Sequence, residues 1–219
     1  MSITDHKTHK ITGVEPDGIA ARLGIVAGDE LVFVDGKPVQ DVFDYRTAMA
    51  TSEVSMTIRK NGRTIEFEIE KEEDEDIGLL FDNDLMDTCR SCTNRCVFCF
   101  IDQLPRGMRS SLYFKDDDLR MSFLDGNYVT LTNLSDAEFH RLVGYRLSPM
   151  NISVHALDPA VRSAMMNNRF AGNIMDRLRH IAASHISLNI QIVLVPGIND
   201  GAVLEETISG LSTLGDRLS

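Results

Sequence analysis

A chain of 219 residues that is 43% hydrophobic can bury one or two cores, and its net charge of −11 repels phosphates, so neither nucleic acid nor an anionic membrane is expected as a partner. No apolar run approaches the roughly 18 residues of a membrane-spanning helix, and the polar stretch Met1–Lys10 lacks a signal-peptide apolar region, so the expected compartment is the cytoplasm. All four cysteines lie between Cys89 and Cys99, the usage of a metal or redox site in a reducing compartment and not of a disulfide framework.

The first elements read as short strands and sharp turns. Ile11–Val14 is a strand, Glu15-Pro16-Asp17-Gly18 a turn, and Ile19–Leu23 a short helix. Gly28-Asp29 leads into the strand Glu30–Val34, closed by Asp35-Gly36, and a helix follows from Val42 to about Ala50. The strands Val54–Arg59 and Arg63–Glu70 flank Asn61-Gly62, the best hairpin signal in the chain. The acidic run Glu70-Lys71-Glu72-Glu73-Asp74-Glu75-Asp76 reads as a solvated linker, because clustered like charges repel and stay hydrated.

Val14-Glu15-Pro16-Asp17-Gly18-Ile19-Ala20, Gly24-Ile25-Val26-Ala27-Gly28-Asp29-Glu30-Leu31 and Val34-Asp35-Gly36-Lys37-Pro38-Val39 together resemble a bacterial PDZ domain, over roughly residues 9–70. The resemblance implies a circularly permuted strand order in which Thr64–Glu70 precedes the carboxylate-binding loop, with Ile77–Phe81 as that loop and the groove's edge strand. A rival reading makes Leu79–Phe81 the entry to the next domain. Such a groove binds a peptide or protein C-terminus by strand addition. We divide the chain into a PDZ-like domain over 1–78 and a second domain over 79–219.

The second domain alternates strand and helix, the mark of a parallel α/β sheet. Tyr128–Thr132 is a strand, and Ser135-Asp136-Ala137-Glu138 is a capping box that opens a helix to about Val143. Asn151–His155 is the next strand; Asp158-Pro159 then caps a helix to about Met166, whose Met165 and Met166 read as packing residues. A helix near Ile174–Ala183, the strand Leu188–Val195 and a last helix around Val203–Leu214 complete the chain. Polar residues alternate with apolar ones along these strands: Thr130 and Thr132; Asn151, Ser153 and His155; Asn189 and Gln191. Successive strand residues face opposite ways, so one face is polar, whereas an ordinary buried parallel sheet is apolar on both. In a β/α barrel the polar face looks inward and places ligands near the strands' C-terminal ends.

The segment Cys89-Arg90-Ser91-Cys92-Thr93-Asn94-Arg95-Cys96-Val97-Phe98-Cys99 admits several chemistries. A zinc ribbon needs two Cys-x2-Cys knuckles about 15–20 residues apart, and here three residues separate the pairs. A ferredoxin-type cluster uses four thiolates at the spacing Cys-x2-Cys-x2-Cys-x3-Cys, which differs from this run. A Cys89/Cys92 dithiol lacks a thioredoxin-like setting. Omitting Cys89 leaves Cys92-x3-Cys96-x2-Cys99, three thiolates that leave one iron of a four-iron cube open.

That spacing, with Phe98 before the last cysteine, resembles the signature of radical S-adenosylmethionine (SAM) enzymes. The wording from Cys96 through Pro105-Arg106-Gly107-Met108-Arg109 to Asn127-Tyr128-Val129-Thr130-Leu131-Thr132-Asn133-Leu134 is similar to a bacterial group that joins a PDZ-like domain to such a domain and to a further C-terminal domain. The resemblance implies an α/β fold: a PDZ-like β-rich domain followed by a partial radical SAM β/α barrel, of which this chain looks like the N-terminal half, stopping at about the fourth strand–helix unit. It implies a [4Fe–4S] cluster on Cys92, Cys96 and Cys99, and S-adenosyl-L-methionine as the second cofactor. One electron then cleaves that cofactor to methionine and a 5′-deoxyadenosyl radical, oxidoreductase-like chemistry on an unidentified substrate, with flavodoxin or ferredoxin as reductant. Phe98 is implied beside the adenine, Thr132 and Asn133 (where the usual Gly-Gly-Glu is absent) at the methionyl amino group, and Ser153, His155, Asn189 and Gln191 at the ribose and carboxylate. The charged run Arg106, Arg109, Tyr113, Lys115, Asp116–Asp118 and Arg120 is read as a cover for the site or a solvated loop. The competing expectation is a non-catalytic scaffold in which an iron–sulfur or zinc site is structural and the PDZ-like groove recruits a partner.

Overall fold

In the computed structural model, residues 6–73 and 75–218 are described. Met1–Asp5, at the polar N-terminus, Asp74, inside the acidic run, and Ser219 lie outside the described residues. The chain separates into two compact units, Met1–Thr88 and Cys89–Ser219.

In the first unit, β1 (His9–Lys10), β2 (Gly13–Val14) and helix α1 (Ile19–Arg22) precede β3 (Glu30–Val34), β4 (Lys37–Pro38) and helix α2 (Val42–Met49). The strands β5 (Glu53–Lys60), β6 (Arg63–Glu70) and β7 (Leu79–Leu80) follow. Asn61 and Gly62, at φ of 49° and 76°, turn β5 onto β6 in unbroken register from Lys60↔Arg63 to Glu53↔Glu70. Both residues need positive φ, the property that makes Asn-Gly the preferred pair there. The main sheet runs β1-β3-β5-β6, with β4 folded back on β3 through Asp35-Gly36. Its buried face carries Leu31, Val54, Met56 and Ile58 at two-residue spacing.

The single strand expected over Ile11–Val14 is two strands. The Ile11 N–H goes to Asp29 O at 2.9 Å, and the fully buried Ile11 marks the point where the chain leaves the main sheet for a second one. There β2 pairs antiparallel with β7, Gly13 opposite Leu80 and Val14 opposite Leu79. Gly78, at φ 83°, lets the chain enter that pairing, its carbonyl accepting from Glu15 N at 2.8 Å. Ile77–Leu80 thus packs within the first unit, and Phe81 meets Tyr45 of α2 with ring centroids 5.4 Å apart.

The second unit opens with an irregular stretch from Cys89 to Asp118 that includes a 3-10 turn at Ser110–Tyr113. The helices α3 (Leu119–Leu124) and α4 (Asp136–Gly144) come before β8 (Met150–Ser153). Then follow α5 (Pro159–Met166), α6 (Ile174–Ala183), β9 (Leu188–Gln191) and α7 (Ala202–Ser212). The Ser135–Glu138 capping box forms on both sides, and Asp158 caps α5 with Pro159 in its first turn. β8 and β9 pair in parallel, Asn151 opposite Asn189 and Ser153 opposite Gln191. Parallel bridges at Val129↔Ile152 and Leu188↔Leu218 extend the row on both sides. Helices lie between successive members, as parallel neighbours require. Ile152, Val154, Met166, Leu178, Ile181 and Leu188 are fully buried among them.

All three expected strands of this unit are shorter than their sequence patterns, and at the C-terminal ends of the first and third, side chains accept from the backbone amides. Tyr128–Thr132 reduces to the Val129 bridge, because Thr130 N–H donates to Asp117 Oδ1 at 2.6 Å and Leu131 turns to φ 59°. The strand expected to reach His155 stops at Ser153, and His155 sits at φ 66°. The one expected to reach Val195 stops at Gln191; beyond it Val193 N–H donates to His155 Nδ1 at 3.1 Å and Val195 N–H to Asn199 Oδ1 at 2.7 Å.

Candidate metal and cofactor site

The cysteine loop has no regular structure of its own and is held by hydrogen bonds to three other segments. Cys92 N–H donates to Lys115 O at 2.6 Å and Asp117 N–H to Arg90 O at 3.2 Å, which lays the loop along residues 115–118. Arg95 N–H and Val97 N–H donate to Met166 O and Met165 O, at 3.0 and 2.9 Å, so the loop satisfies carbonyls at the end of α5 that have no partner within the helix. Asn133 Nδ2 donates to Ser91 O at 2.6 Å, tying the loop to the segment beyond the Val129 bridge.

The four thiols are free, and Cys92, Cys96 and Cys99 share one neighbourhood. Burial pushes the Cys96 thiol up to about 11, and the next strongest influences on it are Cys92 and then Cys99. The thiol of Cys89 is also raised, first by burial and then by Asp118 and Asp116, so its strongest charged neighbours are carboxylates. Among the described residues no three or more His, Cys, Asp or Glu are grouped so as to hold a metal ion.

Four of the seven site residues expected from sequence meet in two pairs, and Thr132, Asn133 and Asn189 bond residues outside that set. Phe98 and His155 meet edge to face, ring centroids 4.6 Å apart. Ser153 Oγ donates to Gln191 Oε1 at 3.1 Å. Thr132 Oγ1 is 2.9 Å from Asn94 Nδ2, and Asn133 Oδ1 accepts from Thr93 Oγ1 at 3.3 Å. Asn189 turns its amide to Asn151 Oδ1 at 2.7 Å, and Asn151 in turn bonds Gly126 O at 2.9 Å, one pleat nearer the strands' N-terminal ends.

His155 is 3% exposed, and burial, followed by the Arg162 cation, holds its ring well below the usual histidine range, at about 4. Its Nδ1 accepts from Val193 N–H, so the neutral ring carries its proton on Nε2. Asn199, fully buried, donates to His155 O at 2.8 Å and to Val193 O at 3.0 Å and fixes this corner.

Two important side chains, Arg162 and Asn94, were not singled out from sequence, and a third, Asp117, was read only as part of the charged run. Arg162, on α5, is 1% exposed and donates to Val154 O at 2.8 Å, Ser153 O at 2.9 Å, Thr130 O at 3.0 Å and Ala171 O at 2.5 Å. It stitches the strand ends together through carbonyls. Its charge is felt by His155, Asp117 and Cys96, and burial brings its own value down to about 10. An arginine on the apolar face that Met165 and Met166 share was the available signal. Asn94, 2% exposed, lies inside the cysteine loop, where the residue type alone carries no warning. Asp117 is 2% exposed and accepts from both N–H and Oγ1 of Thr130, and burial raises its carboxyl above the usual range despite those bonds.

The charged run 106–120 splits in two. Arg106 and Arg109 are exposed, whereas Asp117, Asp118 and Arg120 are buried and structural. Arg120 meets Asp118 at 2.6 Å, and although burial opposes it, the guanidinium holds the Asp118 carboxyl below its ordinary value.

A radical SAM-like domain model matches residues 71–219 of this sequence. The chain belongs to the radical SAM-like domain family. A PDZ domain model matches residues 10–60, in the first unit. Among solved structures, the PDZ domain of an SdrC-like protein from Listeria innocua is 19% identical, with a TM-score of 0.31, over 35% of this chain and 96% of that one. No curated protein matches the chain. The radical SAM-like assignment indicates an enzyme of that superfamily, and the PDZ domain indicates binding of a peptide or protein C-terminus. No described helix is long and apolar enough to cross a membrane.

Proposed function

We propose that this radical SAM-like chain holds a [4Fe–4S] cluster on Cys92, Cys96 and Cys99 and cleaves S-adenosylmethionine reductively. The observation that carries the reading is the shared neighbourhood of these three free thiols in a chain of the radical SAM-like family. The donor set fits the group: a four-iron cube takes one thiolate per ligated iron, so three thiols on one loop would suit it without converging on a single ion. When bound, the cluster held by Cys92, Cys96 and Cys99 would supply the electron for reductive cleavage of S-adenosylmethionine to methionine and a 5′-deoxyadenosyl radical.

The chain's own residues bind and orient. Phe98 and His155 offer an aromatic surface and an Nε2–H donor for the nucleoside end. The hydroxyl of Thr132 and the amide of Asn133 serve the methionyl end, and Ser153, Asn189 and Gln191 serve the ribose and carboxylate as the polar inner face of a partial β/α barrel. Arg162 supplies a buried cation whose charge is felt at Cys96. A flavodoxin or ferredoxin is the proposed reductant, and the groove between α2 and β7 the proposed site for a partner's C-terminal strand.

Anaerobic reconstitution with iron and sulfide tests this. Four irons per chain, and an absorption band bleached by dithionite, should disappear in Cys92→Ala, Cys96→Ala and Cys99→Ala and persist in Cys89→Ala. Loss in Cys89→Ala as complete as in the others would replace the reading with four-thiolate ligation. Reduced protein should also release 5′-deoxyadenosine from S-adenosylmethionine, and methylthioadenosine alone would refute radical cleavage.

A further inference from the structure

Asn94 sits between two of the three cysteines, and the orientation of its amide follows from its neighbours. Phe170 N–H donates to Asn168 at 2.9 Å, and a backbone N–H meets only an acceptor, so that atom of Asn168 is its Oδ1. The Asn168 NH2 therefore faces Asn94, at 2.7 Å, and must meet oxygen there. This leaves the Asn94 NH2 pointing the other way, its two hydrogens shared among three acceptors, Thr132 Oγ1 at 2.9 Å, Thr130 Oγ1 at 3.0 Å and, as the longer branch of a forked bond, Cys92 Sγ at 3.5 Å. Thr132 Oγ1 also returns a bond to Asn94 Oδ1 at 3.1 Å, and Thr130 Oγ1 passes its own proton to Asp117. One 2%-exposed carboxamide thus joins the cysteine loop, the Thr130–Thr132 segment and Asn168, two residues beyond α5.

We propose that Asn94 is a positioning residue that aims an N–H at Cys92 Sγ and makes the cluster easier to reduce; this rests on the three-cysteine reading above. Reduction adds negative charge that spreads onto the ligating sulfurs. A fixed donor stabilises the reduced form more than the oxidised one, and hydrogen bonds to sulfur are among the levers that set cluster potentials. The bond is built before any cluster arrives, since Asn168 and the two threonines hold the amide in place.

The test is the midpoint potential of the reconstituted protein, read by anaerobic titration, for wild type, Asn94→Leu and Asn94→Ala. Both variants should still bind iron and sulfide. Their oxidised-to-reduced ratio at a given potential should rise about tenfold, equivalent to about 59 mV more negative for a one-electron couple. Asn168→Asp leaves Asn94 in place but presents it with an acceptor, which turns its oxygen onto Cys92. That change should lower the potential in the wild-type background more than in Asn94→Ala, where a mere charge effect would persist in full. If Asn94→Leu fails to fold, Asn94→Ala and this comparison decide the matter. A loaded wild type with variants at its own potential overturns the role of Asn94 alone. A wild type that takes up no four-iron cluster overturns the cluster reading, and this inference with it.

Discussion

Replacing His155 with asparagine should remove an acid sensitivity that the fold builds into this corner. The unfolded ring takes up a proton below its ordinary value of 6.5, whereas the folded ring resists until about pH 4. Between those limits the unfolded state binds more protons, so stability falls as pH falls, and the contribution is fully present only above 6.5. The difference corresponds to about 3 kcal/mol in full, of which about 2 kcal/mol is already lost at pH 5. Asparagine is a suitable replacement because it tolerates the left-handed φ of 66° and its oxygen can take the Val193 N–H in place of Nδ1. Contact with Phe98 is lost, which lowers stability equally at every pH, so only the pH dependence is diagnostic. Denaturant unfolding followed by far-UV circular dichroism at pH 7.5, 6 and 5 measures it. The wild type should lose about 2 kcal/mol more than His155→Asn between the extremes. Parallel curves would mean that the folded ring protonates as readily as the unfolded one, and the argument from burial would fail.

Asp118→Ala removes the carboxylate that Arg120 meets at 2.6 Å in a buried setting, and should cost about 3–5 kcal/mol of unfolding free energy. A loss below about 1 kcal/mol would mean that the pair behaves like a surface ion pair. Gly78→Ala forces a side chain into φ 83° and sets its Cβ 3.0 Å from Glu15 Cβ, where β7 enters its pairing with β2. It should destabilise the chain by about 1–2 kcal/mol, seen as a lower denaturation midpoint, and an unchanged midpoint would refute the strain.

Much of the local structure was legible because the causes were local. Asn61-Gly62, the Ser135–Glu138 capping box and the Asp158-Pro159 helix start involve residues at most three apart, and each formed as its composition requires. The two-residue alternation in Asn151–Ser153 and Asn189–Gln191 also placed these residues opposite one another, because a parallel register keeps like faces together. The cysteine spacing pointed to the radical SAM-like family, which the domain model matches, without showing what holds the loop.

What the tertiary structure alone decided are contacts between residues far apart in sequence: Phe98 with His155, Asn94 with Asn168, Thr130 with Asp117, and Arg162 with the carbonyls of Thr130 and Ser153. Periodicity reports which face a residue occupies and says nothing of the partner across it. The same limit explains the strand ends. The sequence from Leu188 to Val195 reads as one strand, but whether its last amides join a neighbouring strand or a side chain depends on where His155 and Asn199 come to rest, and that is settled only when the sheet and helices pack.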